Sequence, residues 1–363
     1  MFLFFHSKKY LRQNLFVFLL FSILNFNVNA QASWCERETS VPAPTIKLIG
    51  ILADQLVDST PNAIVSIKTE GLLPGQGLHD TSQNAKLDFS KTLTLAYGWH
   101  IHHKVQYLHG ARNFLIKWAE TYKPNFNPID ETGFTQLFEA YAVVKPDLSP
   151  NDQNIINTWL LDFYKGYLLV LKQQVINNKI EKTNWQSHRI KIVTAAAAAM
   201  GDLTLLNKIE PYFHTQISAN ILPDGSTVDF HKRDSLNYAV YSLKPLIESA
   251  LFSRIQGNNW LSVDSISSYS LMKSLDWLQP YIIGSKTHIE YKNTTVRFDR
   301  LRAEAGVKGH QYADWDAINA RDLLWLASYI NIKYLSLAQA LSPKSSAFLE
   351  LCHTTLTQYP SKN

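Results

Sequence analysis

Helical periodicity recurs along almost the whole chain, and it narrows the possible folds more than any other feature. Leu108–Tyr122 sets Leu108, Ala111, Leu115 and Trp118 at spacings of three and four. Over Asn154–Val175 the same spacing joins Ile155, Trp159, Phe163, Tyr167 and their neighbours. Ile190–Met200 ends at Gly201, a natural helix stop. Ser235–Ser253, Ser267–Leu278 and Ala320–Leu341 continue the series, and the breakers Pro124, Pro128, Pro146, Pro150, Pro223 and Gly284 fall between helices. Helices that recur every roughly 30–45 residues without a strict repeat suit hairpins stacked or closed into a ring. One segment differs: Ile289–Phe298 alternates and is rich in β-branched and aromatic residues, which predicts a short strand pair or an extended loop. The expected fold is all-α, with a single domain and little β structure.

Composition agrees. Hydrophobic residues make up 46% and charged residues 18%, which is globular and not disordered. The 14 Gly and 14 Pro are few for 363 residues and argue against a many-turned β-sandwich. The Ala195–Ala199 run predicts close helix approach and no chemistry.

The formal charge of +5 overstates how basic the chain is. Lys8, Lys9 and Arg12 precede the apolar run Leu15–Phe26, which Val28-Asn29-Ala30 follows. A charged stretch, an apolar stretch and small residues describe a secretory signal cleaved near Ala30, so a periplasmic or secreted protein with no membrane attachment after cleavage is expected. Without residues 1–30, 32 basic side chains face 30 acidic ones. No dense basic run remains, which argues against nucleic acid as a partner. Cys35 and Cys352 stand near the two ends of the exported chain and are candidates for a disulfide.

Two polar segments interrupt the helical pattern. Thr183-Asn184-Trp185-Gln186-Ser187-His188-Arg189 opens the helix that runs into the alanines, and Asn184 and His188, four apart, share a face. Asp229-Phe230-His231-Lys232-Arg233-Asp234-Ser235 precedes a helix that Asp234 or Ser235 can cap, with Tyr238 and Tyr241 in its first turns. Cations beside a helix N-terminus suit an anionic ligand. Tyr97-Gly98-Trp99-His100 and His102-His103 add aromatic and imidazole groups. No matching carboxylate accompanies them, so no metal and no other cofactor is expected.

Taken in order, these stretches resemble the alginate lyases of polysaccharide lyase family five and its relatives. The resemblance rests on Asn127-Pro128-Ile129-Asp130-Glu131-Thr132, the Asn184…His188 segment, Asp224-Gly225-Ser226 with Arg233-Asp234-Ser235-Leu236-Asn237-Tyr238, and Phe298-Asp299-Arg300 with Gly306 and Trp315. It implies an incomplete (α/α) toroid acting as a monomer on an anionic polysaccharide. The domain plan that follows is a signal at residues 1–30, a lead-in at 31–70, the toroid at 71–350 with a lid loop at about 71–90, and a tail at 351–363.

The reaction so implied is β-elimination on a uronate polymer, either mannuronate-rich alginate or glucuronan. Asn184, His188 and Arg233 would neutralise the uronate carboxylate, and Tyr238 would serve as base and acid. Trp185, His231, Lys232, Tyr241, Trp99, His100 and Arg189 would contact substrate. His231 is an alternative to Arg233, and His188 an alternative base to Tyr238. Two other readings remain. One is a glycoside hydrolase on the same scaffold using paired carboxylates from Asp224, Asp229 and Asp234; the other is an exported carbohydrate-binding protein without catalysis.

Overall fold

The structure is a computed structural model and describes residues 43–261 and 265–343. The expected signal segment, Cys35 and Cys352 lie outside the described residues. The helices are α1 (Ala43–Asp54), α2 (His79–His102), α3 (Val105–Thr121), α4 (Pro128–Glu131), α5 (Thr135–Val144), α6 (Pro150–Ile176), α7 (Asn184–Met200) and α8 (Leu203–Asn207). They continue as α9 (Glu210–Asn220), α10 (Val228–Arg233), α11 (Leu236–Ile255), α12 (Ile266–Ile282), α13 (Arg297–Glu304), α14 (Arg321–Ile330) and α15 (Leu335–Leu341). Among the described residues the only β pairings are isolated bridges between Ile221 and Thr227 and between Ile289 and Asp314.

The expected starts and stops explain much of this. Ser149 accepts from the amide of Asp152 and Pro150 occupies the first turn of α6, a favourable pairing of cap and proline. Gly201 ends α7 at φ 72°, a left-handed conformation that costs glycine nothing. Ser235 caps α11 by accepting from the Tyr238 amide at 3.2 Å.

Contacts pass from α2 to α5, α7, α11 and α14, while α3, α6, α9 and α12 pack outside that series. The inner helices run parallel. His188, near the start of α7, meets Tyr241, near the start of α11, with ring centroids 4.2 Å apart. At the other end the Gln256 side chain donates to Ala198 O at 3.1 Å. Lys145, after α5, donates to Met200 O at 2.8 Å, and Arg254 donates to Tyr329 O at 2.6 Å. This is an α/α toroid, and all the inner helices begin at the same mouth.

Two kinds of packing hold the ring. Ala195–Ala199 are all buried, so α7 sits close against α5, α6 and α11. Around Phe134 the rings of Phe89, Trp118, Tyr122, Trp159 and Phe163 gather at centroid distances of 4.3–5.7 Å. Such aromatic pairs each add about 0.5–1.5 kcal/mol beyond the area they bury.

Three sequence expectations change. The loop expected at about 71–90 ends before His79, because α2 begins there. Residues 289–296 form an irregular strap, and Arg297 and Phe298 already belong to α13. The helix expected over Ala320–Leu341 breaks at Asn331, whose side chain accepts from the Lys333 amide and starts a new turn.

Candidate functional site

At the mouth where the inner helices begin lies a cavity of about 280 Å³, lined by Glu70, Asn184, Trp185, Arg233, Tyr238, Tyr241, Phe298, Arg302 and neighbours. α7 supplies Asn184 and Trp185, α10 supplies Arg233, α11 the tyrosines and α13 Arg302.

Arg233 and Tyr238 meet because the chain reverses sharply between α10 and α11. Asp234 takes φ 48°, a left-handed conformation that aspartate adopts more readily than most residues. The strap then clamps the corner. Tyr291 N donates to Asp234 O at 2.7 Å, Asn293 N to an Asp234 carboxylate oxygen at 2.6 Å, and Thr295 Oγ1 to Lys232 O at 2.9 Å. Buried Glu290 accepts from the amides of Leu236 and Asn237 and from Ser235 Oγ, at 2.5–3.3 Å.

Within this frame the Arg233 guanidinium lies 3.9 Å from the Tyr238 ring centroid and donates to both the Tyr238 hydroxyl and Asp299, the latter at 2.5 Å. Arg302 donates to the same hydroxyl at 3.2 Å. Asp299 is fully buried, also accepts from Thr294 Oγ1, and sits 3.8 Å from Arg302. Burial pushes the Tyr238 hydroxyl above its ordinary value near 10, and the two guanidinium groups pull against that rise. An oxyanion forming at this oxygen would find two cationic donors already in place.

Asn184 is held by a buried network. Its Nδ2 donates to Asp229 at 2.6 Å; Asp229 also accepts from Asn220 Nδ2 at 2.8 Å, and Asn220 accepts from Ser242 Oγ. Nδ2 carries two hydrogens, so one remains for a ligand.

His188 occupies a different place. It is buried behind Tyr241 and does not line the cavity; Nδ1 is 2.7 Å from Thr132 Oγ1. Burial, reinforced by Lys191 and Lys244, holds its pKa well below the usual 6.5, so the ring is neutral at physiological pH. It therefore offers no charge to a carboxylate.

The remaining substrate-contact candidates divide. Tyr241 and Trp185 line the cavity, and Arg189 lies against the Trp185 ring at 5.6 Å, supporting it from behind. His231 is exposed and bonds Ser226 Oγ at 2.7 Å, so it does not replace Arg233; Lys232 is exposed and takes no part in the lining. Trp99 and His100 lie at the wrong end of the toroid. Trp99 Nε1 donates to Asp147, next to Lys145, which bonds the last residue of α7. Sixteen residues of α7, about 24 Å, separate that point from Asn184.

The carboxylates offered for hydrolysis do not meet in the cavity either. Asp229 is buried in the Asn184 network, Asp224 accepts from Ser226, and Asp234 from Asn293 N. Among the described residues the only acid in the lining is Glu70. Its backbone, with that of Thr69, is fixed by buried Asp130 through amide bonds of 2.7 and 2.8 Å. Among the described residues no three His, Cys, Asp or Glu side chains gather in a way that could hold a metal ion, and no helix is long and apolar enough to cross a membrane.

Sequence reasoning missed Arg302, Glu70 and the role of Asp299. Its motif pointed at Arg300, which instead donates to Thr294 O and braces the strap. A signal was present: Asp299 and Arg302 are three apart, one face of a helix.

No curated protein matches the chain. Among solved structures, an alginate lyase from Bacteroides ovatus matches with a TM-score of 0.62 at 16% identity, covering 86% of this chain and 94% of that one, which shows a shared fold. Alginate lyase A1-III from Sphingomonas species A1 is more distant, with a TM-score of 0.48, 17% identity, and 77% and 90% coverage. The family model described as alginate lyase matches residues 34–288, more than half of the sequence. The chain belongs to the alginate lyase family of polysaccharide lyases.

Proposed function

We propose that the protein cleaves a mannuronate-rich alginate or a related polyuronate by β-elimination, with Tyr238 as both base and acid. The carrying observation is that the Tyr238 hydroxyl faces a sugar-sized cavity while accepting from both Arg233 and Arg302.

A proton on C5 of a uronate is scarcely acidic until the adjacent carboxylate is neutralised. In this reading the free hydrogen of Asn184 and the outward donors of Arg302 hold that carboxylate. Tyr238 takes the C5 proton. The C5–H electron pair becomes the C4–C5 double bond, the C4–O4 bond breaks, and the departing O4 receives the proton from Tyr238. Charge that builds on the phenolic oxygen meets Arg233, which Asp299 aims. In this reading His188 acts by bracing Tyr241 and Thr132. Trp185 and Tyr241 form an apolar wall for a sugar face. Export by the N-terminal charged and apolar segment belongs to the same reading.

The test is an ultraviolet assay for the conjugated C4–C5 double bond with polymannuronate, polyguluronate and glucuronan. Wild type should generate the absorbance on at least one polymer, and Tyr238→Phe should do so at least about a hundredfold more slowly. New reducing ends without absorbance would overturn the reading.

A further inference from the structure

A second and larger cavity, of about 490 Å³, opens at the far end of α11 between its last turns, the start of α12 and the segment after α14. Arg254, Asn259, Ser268, Asn331 and Lys333 line it, with no acidic side chain among the described lining residues. Tyr269 also lines it and is 69% exposed. Lys333 is already matched by Asp276 at 2.9 Å. Arg254 is not matched: among the described residues no carboxylate pairs with it. One of its nitrogens donates to Tyr329 O at 2.6 Å, and its Nε is buried with no hydrogen-bond partner.

A guanidinium that lines a cavity and is partly withdrawn from water without a counter-charge favours an anionic occupant. The rest of the lining indicates what kind. Amide and hydroxyl side chains suit a polyhydroxylated ligand, and an exposed tyrosine offers a flat amphipathic face. We propose that this cavity is a non-catalytic site for a uronate sugar, with Arg254 taking the carboxylate and Tyr269 the ring face. Sixteen residues of α11 separate Tyr238 from Arg254, about 24 Å along the helix, so the two sites would hold separate stretches of one polymer. Holding one stretch raises the effective concentration of the rest at the catalytic mouth.

This rests on the polyuronate reading, and the experiment separates the two. Saturated uronate oligomers are titrated into the full-length Tyr238→Phe protein, with and without Arg254→Gln. Two binding events are expected, and Arg254→Gln should weaken one of them by about tenfold or more. Tyr269→Ala, altering an exposed ring that folding does not need, should weaken the same event. In the active protein, Arg254→Gln should raise KM for long polymer and leave kcat on short oligomers unchanged. The proposal falls if the Arg254→Gln and parent titrations coincide, if a neutral oligosaccharide binds there equally well, or if inorganic phosphate alone occupies the site. Turnover by Tyr238→Phe at close to the wild-type rate would instead sink the catalytic reading and leave the Arg254 titration standing.

Discussion

Glu131 and Asp299 are both buried carboxylates that organise tyrosines, and they differ in what their partners do next. Glu131 accepts from the hydroxyls of Tyr122 and Tyr167 at 2.7 and 2.5 Å and from the amides of Asn125 and Phe126 at 2.7 and 3.1 Å. Those hydroxyls end there, inside the aromatic core. The Asp299 partners, Arg233 and Arg302, reach past it to a tyrosine hydroxyl on a cavity wall. A closed cluster of this kind stabilises the fold. The open one holds an unfinished set of charges and leaves room for a substrate to complete it.

The largest effect should come from Tyr238→Phe, which removes the oxygen and keeps the ring. Turnover should drop roughly 10²–10⁴-fold, the usual worth of an acid–base group, with the thermal midpoint little changed. The matching change at the closed cluster, Glu131→Ala, should do the reverse. It strands two buried hydroxyls and two amides and should cost about 3–5 kcal/mol in a urea titration. If Glu131→Ala proved stable but inactive, the contrast between the clusters would collapse.

Arg302→Gln tests the open cluster more finely. Arg302 lowers the Tyr238 pKa, so its loss should raise it further. Since the base must be deprotonated, the rising limb of the kcat profile should move to higher pH, and kcat/KM at neutral pH should fall about 10–100-fold. An unmoved limb would remove Arg302 from the site.

The smallest effect concerns His188. Its folded pKa lies well below the unfolded value of about 6.5, so in this window the unfolded chain binds more protons. Stability is complete above about pH 6.5 and declines as pH falls below it, by up to about 1.4 kcal/mol per pH unit from this group. Thermal midpoints of wild type and His188→Gln between pH 7 and 5 should diverge in that sense, with the variant less acid-sensitive.

The ring of helices was legible because spacing, caps and breakers are local, and Ser235 and Gly201 act as their residue types demand. What failed had physical causes. Residues 79–88 of α2 read as loop in the sequence because the helix's inward face is polar there: Ser82 Oγ accepts from Lys68 N, and Asp88 from Asn62 N and Trp118 Nε1. A hydrophobic stripe cannot reveal a face that packs through hydrogen bonds. Trp99 and His100 have the composition of a sugar wall, but nothing local says which end of a toroid a side chain reaches. Arg302 meets Tyr238 across a separation of 64 residues, through a strap whose course depends on the Asp234 corner.

The cavity has two walls of unlike origin. Asn184 and Trp185 stand on α7, whose alanines lock it among three neighbouring helices. Phe298 and Arg302 stand beyond an irregular strap that clamps the corner between α10 and α11. Substitutions at Val296 and Phe298, which line the cavity outside that clamp, can therefore reshape the pocket without disturbing the ring, whereas changes in α7 would unsettle the entire domain. Diversification of substrate preference should accordingly concentrate at those two positions, while the α7 wall tolerates little change.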